Sequence, residues 1–126
     1  MTAQKLTEEE LSLLCCKWQK KLRLSHWDIA IRISRAEDMP IAEVQAANQI
    51  SLTTEKALIS ILDSQDYPKG VFPQDMEVSL VHELLHIPLK YFANPAPSSL
   101  EYTLMEAFIE GTARLLVSLS RKEEQE

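Results

Sequence analysis

Two apolar stretches of this chain carry ionisable side chains at helical spacing, and together they restrict how it can pack. The first, "SLVHELLHIPLKYF" (Ser79 to Phe92), sets His82, Glu83 and His86 among leucines, a valine and an isoleucine. The second, "YTLMEAFIEGTARLL" (Tyr102 to Leu116), sets Glu106 and Glu110 in a similar background. An unpaired carboxylate taken out of water costs several kcal/mol or shifts its pKa until it neutralises. A fold that buries both stretches is therefore expected to bring the two polar stripes face to face.

Helix geometry sharpens that expectation. Side chains four apart lie roughly 40° apart around the axis, so His82 and His86 share a face. Two imidazoles one turn apart can converge on a single ion at the bond length of about 2.0–2.1 Å that zinc requires. Glu83 sits beside that stripe, placed to handle a proton. Val78, Val81, Leu85 and Leu89 bound the stripe on one side and Leu80, Leu84 and Ile87 on the other, as in a central helix lining a cleft. The competing reading is a pair of hydrogen-bonded core histidines.

A third metal ligand is found by elimination. No histidine follows His86 and no aspartate follows Asp75, so a downstream ligand is Glu101, Glu106, Glu110 or a glutamate of the tail. Glu101 is assigned to a helix cap. Tyr102, Glu106 and Glu110 form one stripe, continued by Ala113 and Val117. Met105, Ile109 and Leu116 flank it on one side and Leu104, Phe108 and Leu115 on the other. No lysine or arginine lies on the stripe, so a dication held by His82 and His86 is expected to face it. Glu106 is expected to bind the metal, with Glu110 behind it accepting the other N–H of a ligand imidazole. The reverse assignment stays open, as does a pair of half-exposed glutamates reaching water. Gly111 in mid-helix costs about 1 kcal/mol relative to alanine, and close packing against the histidine helix is expected to offset it.

The rest of the chain supplies the scaffold. At 126 residues, 45% of them hydrophobic, one domain spanning 1–126 with one sizeable core is expected. The spacing predicts a helix from the capping box of Thr7 and Glu10 to about Leu24, with Leu11, Leu14, Trp18 and Leu22 inward. Strict alternation in "WDIAIRIS" predicts a half-buried strand, and "EVQAANQISL" (Glu43 to Leu52) and "KALISILD" (Lys56 to Asp63) are weaker strands. Pro73 is placed in the first turn of the histidine helix, with Asp75 and Glu77 at its positive end. Ser98 and Glu101 are read as a second capping box, opening a last helix that runs to about Leu119. "RKEEQE" is read as a frayed tail over residues 120–126. With only two glycines, turns are expected to rest on Pro, Asn, Asp and Ser.

A net charge of −6 argues against nucleic acid or an anionic membrane as partner. No apolar run approaches a membrane span, and the first residues lack the core of a signal peptide. Adjacent Cys15 and Cys16 are poorly placed to bridge each other and are expected to be buried thiols. A reduced, cytoplasmic protein is the expectation.

With "HELLH" followed twenty residues later by Glu106, the chain resembles the gluzincin branch of the zincin metallopeptidases. It is most similar to minimal gluzincins and the small HExxH proteins of bacteria and their phages. The metzincin extension is absent, with Leu89 and Phe92 at its positions. The resemblance implies an α+β zincin-like minimal domain: a backing helix, a three-stranded sheet, an active-site helix and a glutamate helix. It also implies an acidic residue supporting a histidine ligand at the position of Glu110, and an open sheet edge, here "EVQAANQISL", that pairs with substrate. Met105 stands where the larger family has asparagine, and Pro88 is expected to kink or end the active-site helix close to His86.

The expected function is zinc-dependent hydrolysis of peptide bonds, with Zn2+ on His82, His86 and Glu106, and Glu83 as general base. Tyr102 is the first candidate to stabilise the oxyanion, with Tyr91 and His26 behind it. The partner is then a peptide or protein substrate. The alternatives are a catalytically silent zincin-like module that binds metal and a protein partner, and a metal-free adaptor.

Overall fold

A computed structural model describes residues 5–41, 44–70 and 72–125. It is an α+β fold with three helices and a three-stranded mixed sheet: α1 (Glu8–Lys21), β1 (Asp28–Ser34), β2 (Ala46–Ser51), β3 (Lys56–Leu62), α2 (Met76–Leu89) and α3 (Leu100–Gln125). In the sheet β3 is central, parallel to β1 on one side and antiparallel to β2 on the other, so β2 is an edge strand. Two turns are made without glycine, by Arg23 (φ 61°) and Glu55 (φ 54°), a left-handed conformation uncommon outside glycine, asparagine and aspartate.

Each helix is started by a side chain. Thr7 and Glu10 form the reciprocal box at α1, as their spacing predicts. Asp75 accepts the Val78 N–H at 3.2 Å and so caps α2. Pro73 therefore lies two residues before the cap and outside the helix, a correction to its placement in the first turn. Ser99, and not Ser98, accepts the Tyr102 N–H at 3.1 Å at the head of α3. Pro88 lies inside the last turn of α2, and the helix ends one residue later, three beyond His86. α1 stops at Lys21, short of Leu24. The start of the second expected strand, at Glu43, lies outside the described residues.

One core joins these elements. Leu11, Cys15 and Trp18 of α1 meet Ile59 and Ile61 of β3 and the apolar residues of α2, while Leu14 and Leu22 are only half-buried. No residue of α2 is exposed; it lies between the sheet and α3, which is why its polar stripe opens on an interior cleft. The buried residues of α3 begin only at Ile109, followed by Ala113, Val117 and Ser120.

Four further expectations are corrected. The tail does not fray: α3 continues to Gln125, its end tied to α1 by Lys17–Glu124 and Lys21–Glu123 and to α2 by Arg121. Gly111 is exposed, and a Cβ there would meet nothing within 4 Å, so no close packing explains it. Cys15 is buried but Cys16 is exposed. Leu104, Phe108 and Leu115, expected to wall in the glutamates, face outward.

No helix among the described residues is long and apolar enough to cross a membrane.

Candidate metal centre

α2 and α3 pack so that the histidine stripe of one faces the glutamate stripe of the other. The His82 and His86 rings lie 5.2 Å apart between centroids, as one helical turn dictates. The Glu106 carboxylate spans both imidazoles, with Oε2 2.9 Å from His82 Nε2 and Oε1 3.0 Å from His86 Nε2. His82 is held from its other side, where Nδ1 lies 2.8 Å from Glu110 Oε1. One nitrogen of His82 thus points into the cluster while the other is occupied by a carboxylate. That is the arrangement by which proteins fix the tautomer and direction of a metal-ligating imidazole.

The donor set suits a metal. His82, His86 and Glu106 each offer one ligand atom, and all three lie within 4.8 Å of one another. Two imidazoles and one carboxylate make up a common catalytic zinc set, which leaves a fourth place free. Of the two imidazoles Glu110 reaches only that of His82, and it does not join this group. Of the two assignments left open by the sequence, the one with Glu106 central fits the geometry.

The environment of the two glutamates differs from the sequence expectation. Their side chains are 29% and 37% exposed for Glu106 and Glu110, so neither is walled off from water. Nor is a cation missing. Arg114, one turn on, donates through Nε to Glu110 at 2.8 Å. The pair has the i,i+4 spacing that sequence alone reveals, and it lies just off the glutamate stripe.

Glu83 is the most deeply placed carboxylate of the cluster, 6% exposed. Burial pushes its carboxyl up to about 7, against the opposing pull of His82 and of a hydrogen bond from Asn48 Nδ2. For His82, burial works against the charged form, but the Glu110 hydrogen bond and the charges of Glu83 and Glu106 outweigh it, and its pKa is raised. For His86 burial prevails and the pKa is lowered. Asn48 comes from β2 and brings the sheet edge onto the site. No local spacing announces it; only the polar content of that strand hinted at a role.

The cluster floors a cleft of about 700 Å3, within the range of small-molecule and cofactor sites. Ala46, Ala47, Asn48 and Ile50 of edge strand β2 form one wall, and the chain between α2 and α3 contributes Asn94 and Pro95. Tyr102 also lines it; burial, and then the neighbouring Glu106, raise its phenol pKa. The other two oxyanion candidates are not brought in. His26 pairs with Glu55 at 3.2 Å near the end of the sheet, and Tyr91 is exposed beyond the end of α2.

Compared with protein-family models, with curated proteins and with solved structures, the chain finds no match.

Proposed function

We propose that this chain is a zinc-dependent peptidase with a minimal, gluzincin-like architecture. The observation that carries the proposal is the Glu106 carboxylate spanning two imidazoles while Glu110 fixes His82 from behind. His82, His86 and Glu106 are the residues that would hold the ion. Zinc, when bound, supplies a Lewis acid that polarises a carbonyl and acidifies water toward a pKa of about 7.

The chain's own groups supply the rest. Glu83 takes a proton from the attacking water and delivers it to the departing amine, and its raised pKa of about 7 suits both directions of transfer. Asn48 holds that carboxylate against β2, leaving its second oxygen for the proton. Tyr102, on the cleft wall one turn before Glu106, is placed to donate to an oxygen of the reacting carbonyl. The free edge of β2 offers backbone groups along the same wall, where an extended peptide adds as a fourth strand and is aligned over Glu83.

Zinc content and peptide hydrolysis of wild type and Glu83→Gln test the reading together. One zinc per chain is expected in both, with hydrolysis reduced about 10²–10⁴-fold in the variant. Undiminished hydrolysis by Glu83→Gln, or zinc that stays after His82 and His86 are both replaced by alanine, overturns it. Zinc bound by wild type with no hydrolysis of varied peptides leaves the silent binding module in its place.

A further inference from the structure

We propose that the outward face of α3 is a self-association surface on which a second copy of this chain docks antiparallel. Leu104, Phe108, Leu115 and Leu119 are 60%, 66%, 59% and 49% exposed, and they fall within about 60° of arc around the helix. The centre of that arc lies opposite Glu106 and Val117, so this face is independent of the cleft and of the core. Two exposed apolar pairs in line on one face of a surface helix, on either side of Gly111, point to an interaction site.

The charges at its ends choose the occupant. Glu101 and Lys122 lie in the same arc, one at each end, about 31 Å apart along the axis. Among the described residues, the other charges near the end of α3 are engaged: Arg121 with Asp75 and Glu77, Glu123 with Lys21, Glu124 with Lys17. A two-fold axis crossing the helix between Gly111 and Thr112 matches this pattern to itself. Leu104 then meets Leu119 of the second copy, Phe108 meets Leu115, and each Glu101 meets a Lys122. A parallel pairing in register sets Glu101 against Glu101 and Lys122 against Lys122, which is repulsive at both ends. At the axis each Gly111 faces Thr112 of the second copy, one residue from its own counterpart, and the open space around Gly111 lets the backbones approach.

A contact made by one helix of each copy is expected to bury less than the roughly 800 Å2 per partner of a standard interface. The association is therefore a reversible one, and the two clefts open on opposite sides of the dimer.

Sedimentation over a series from low micromolar to near-millimolar chain is expected to show a monomer–dimer equilibrium. Phe108→Glu, with unchanged circular dichroism, is expected to raise the dissociation constant at least ~30-fold. Glu101→Lys weakens association, and adding Lys122→Glu restores it. In a Cys16→Ser background, Gly111→Cys forms a disulfide-linked dimer under mild oxidation and Leu104→Cys does not. A monomer throughout the series, which assigns the face to a different partner, overturns the proposal. So does a dimer indifferent to Phe108→Glu, a charge swap that restores nothing, or self-linkage of Leu104→Cys as efficient as that of Gly111→Cys.

Discussion

α2 draws carboxylates out of water at two places, and it balances them in opposite ways. At its first turn, Asp75 takes both arms of the Arg121 guanidinium at 2.8 and 3.0 Å. Buried Glu77 takes Arg121 as well, with the Trp18 indole N–H at 2.8 Å and Lys17 at 4.0 Å. Every positive charge there is permanent at neutral pH, and the network closes on itself. Two turns further on, Glu83, Glu106 and Glu110 gather with one guanidinium, that of Arg114, and two imidazoles. Two formal negative charges remain to be balanced, and either two protons, on the histidines or on Glu83 itself, or one dication does it. The first cluster is finished as protein; the second has a place for something exchangeable.

Breaking the finished cluster gives the largest effect on stability. Arg121→Ala leaves Glu77 buried beside a half-exposed Asp75, and is expected to cost about 3 kcal/mol in denaturant unfolding. The loss is the same with and without zinc. If zinc restores the stability of Arg121→Ala, the two clusters are coupled and the contrast fails.

The second cluster is expected to respond to pH. The Glu83 carboxyl is at about 7 in the folded chain against an ordinary 4.5. Below pH 4.5 it is protonated folded or unfolded, and its contribution is complete. Between 4.5 and 7 only the unfolded chain ionises, so stability of the metal-free protein falls across that window, by up to about 3 kcal/mol. His82, raised, adds to the fall as pH passes its folded pKa; His86, lowered, gives stability back as pH rises through 6.5. Saturating zinc competes with those protons and reverses the trend. Melting curves of chelated and zinc-loaded protein at pH 5 and 8 check both signs.

A finer change separates holding the ion from orienting its holder. Glu110→Gln removes the charge behind His82 but leaves all three ligand atoms, so zinc affinity is expected to fall about 10–100-fold at unchanged stoichiometry. Complete loss of zinc makes Glu110 a ligand in its own right, and competition with a chromophoric chelator distinguishes the two. Smallest is Gly111→Ala, one residue on. At dilutions where the chain is monomeric, it is expected to stabilise by up to about 1 kcal/mol without changing zinc affinity.

What could be read from the residues divides along similar lines. Spacing within one helix was legible: the box at Thr7, the shared face of His82 and His86, the stripe of Glu106 and Glu110. Which side of an all-round apolar helix is inward was not. Periodicity places Leu104 and Ile109 on different sides but is silent on which meets a neighbour, and only Ile109 does. The adjacent serines 98 and 99 offer the same cap, and loop geometry selects the second. The reach of α3 to Gln125 depends on lysines of α1 more than a hundred residues earlier. Asn48 and Glu77 act through partners on other elements, which no local pattern records.

The uneven seating of α3 has a mechanical consequence. From Ile109 onward the helix is bedded in the core, while none of its opening nine residues is fully buried: Tyr102, Met105 and Glu106 turn to the cleft, and Leu100, Leu104 and Phe108 face outward. It is a cantilever, clamped along its rear and loaded near its tip. On the proposed function, whatever draws Glu106 toward the imidazoles also stills that arm, so that grip on the ion and the width of the groove would be set by one and the same lever.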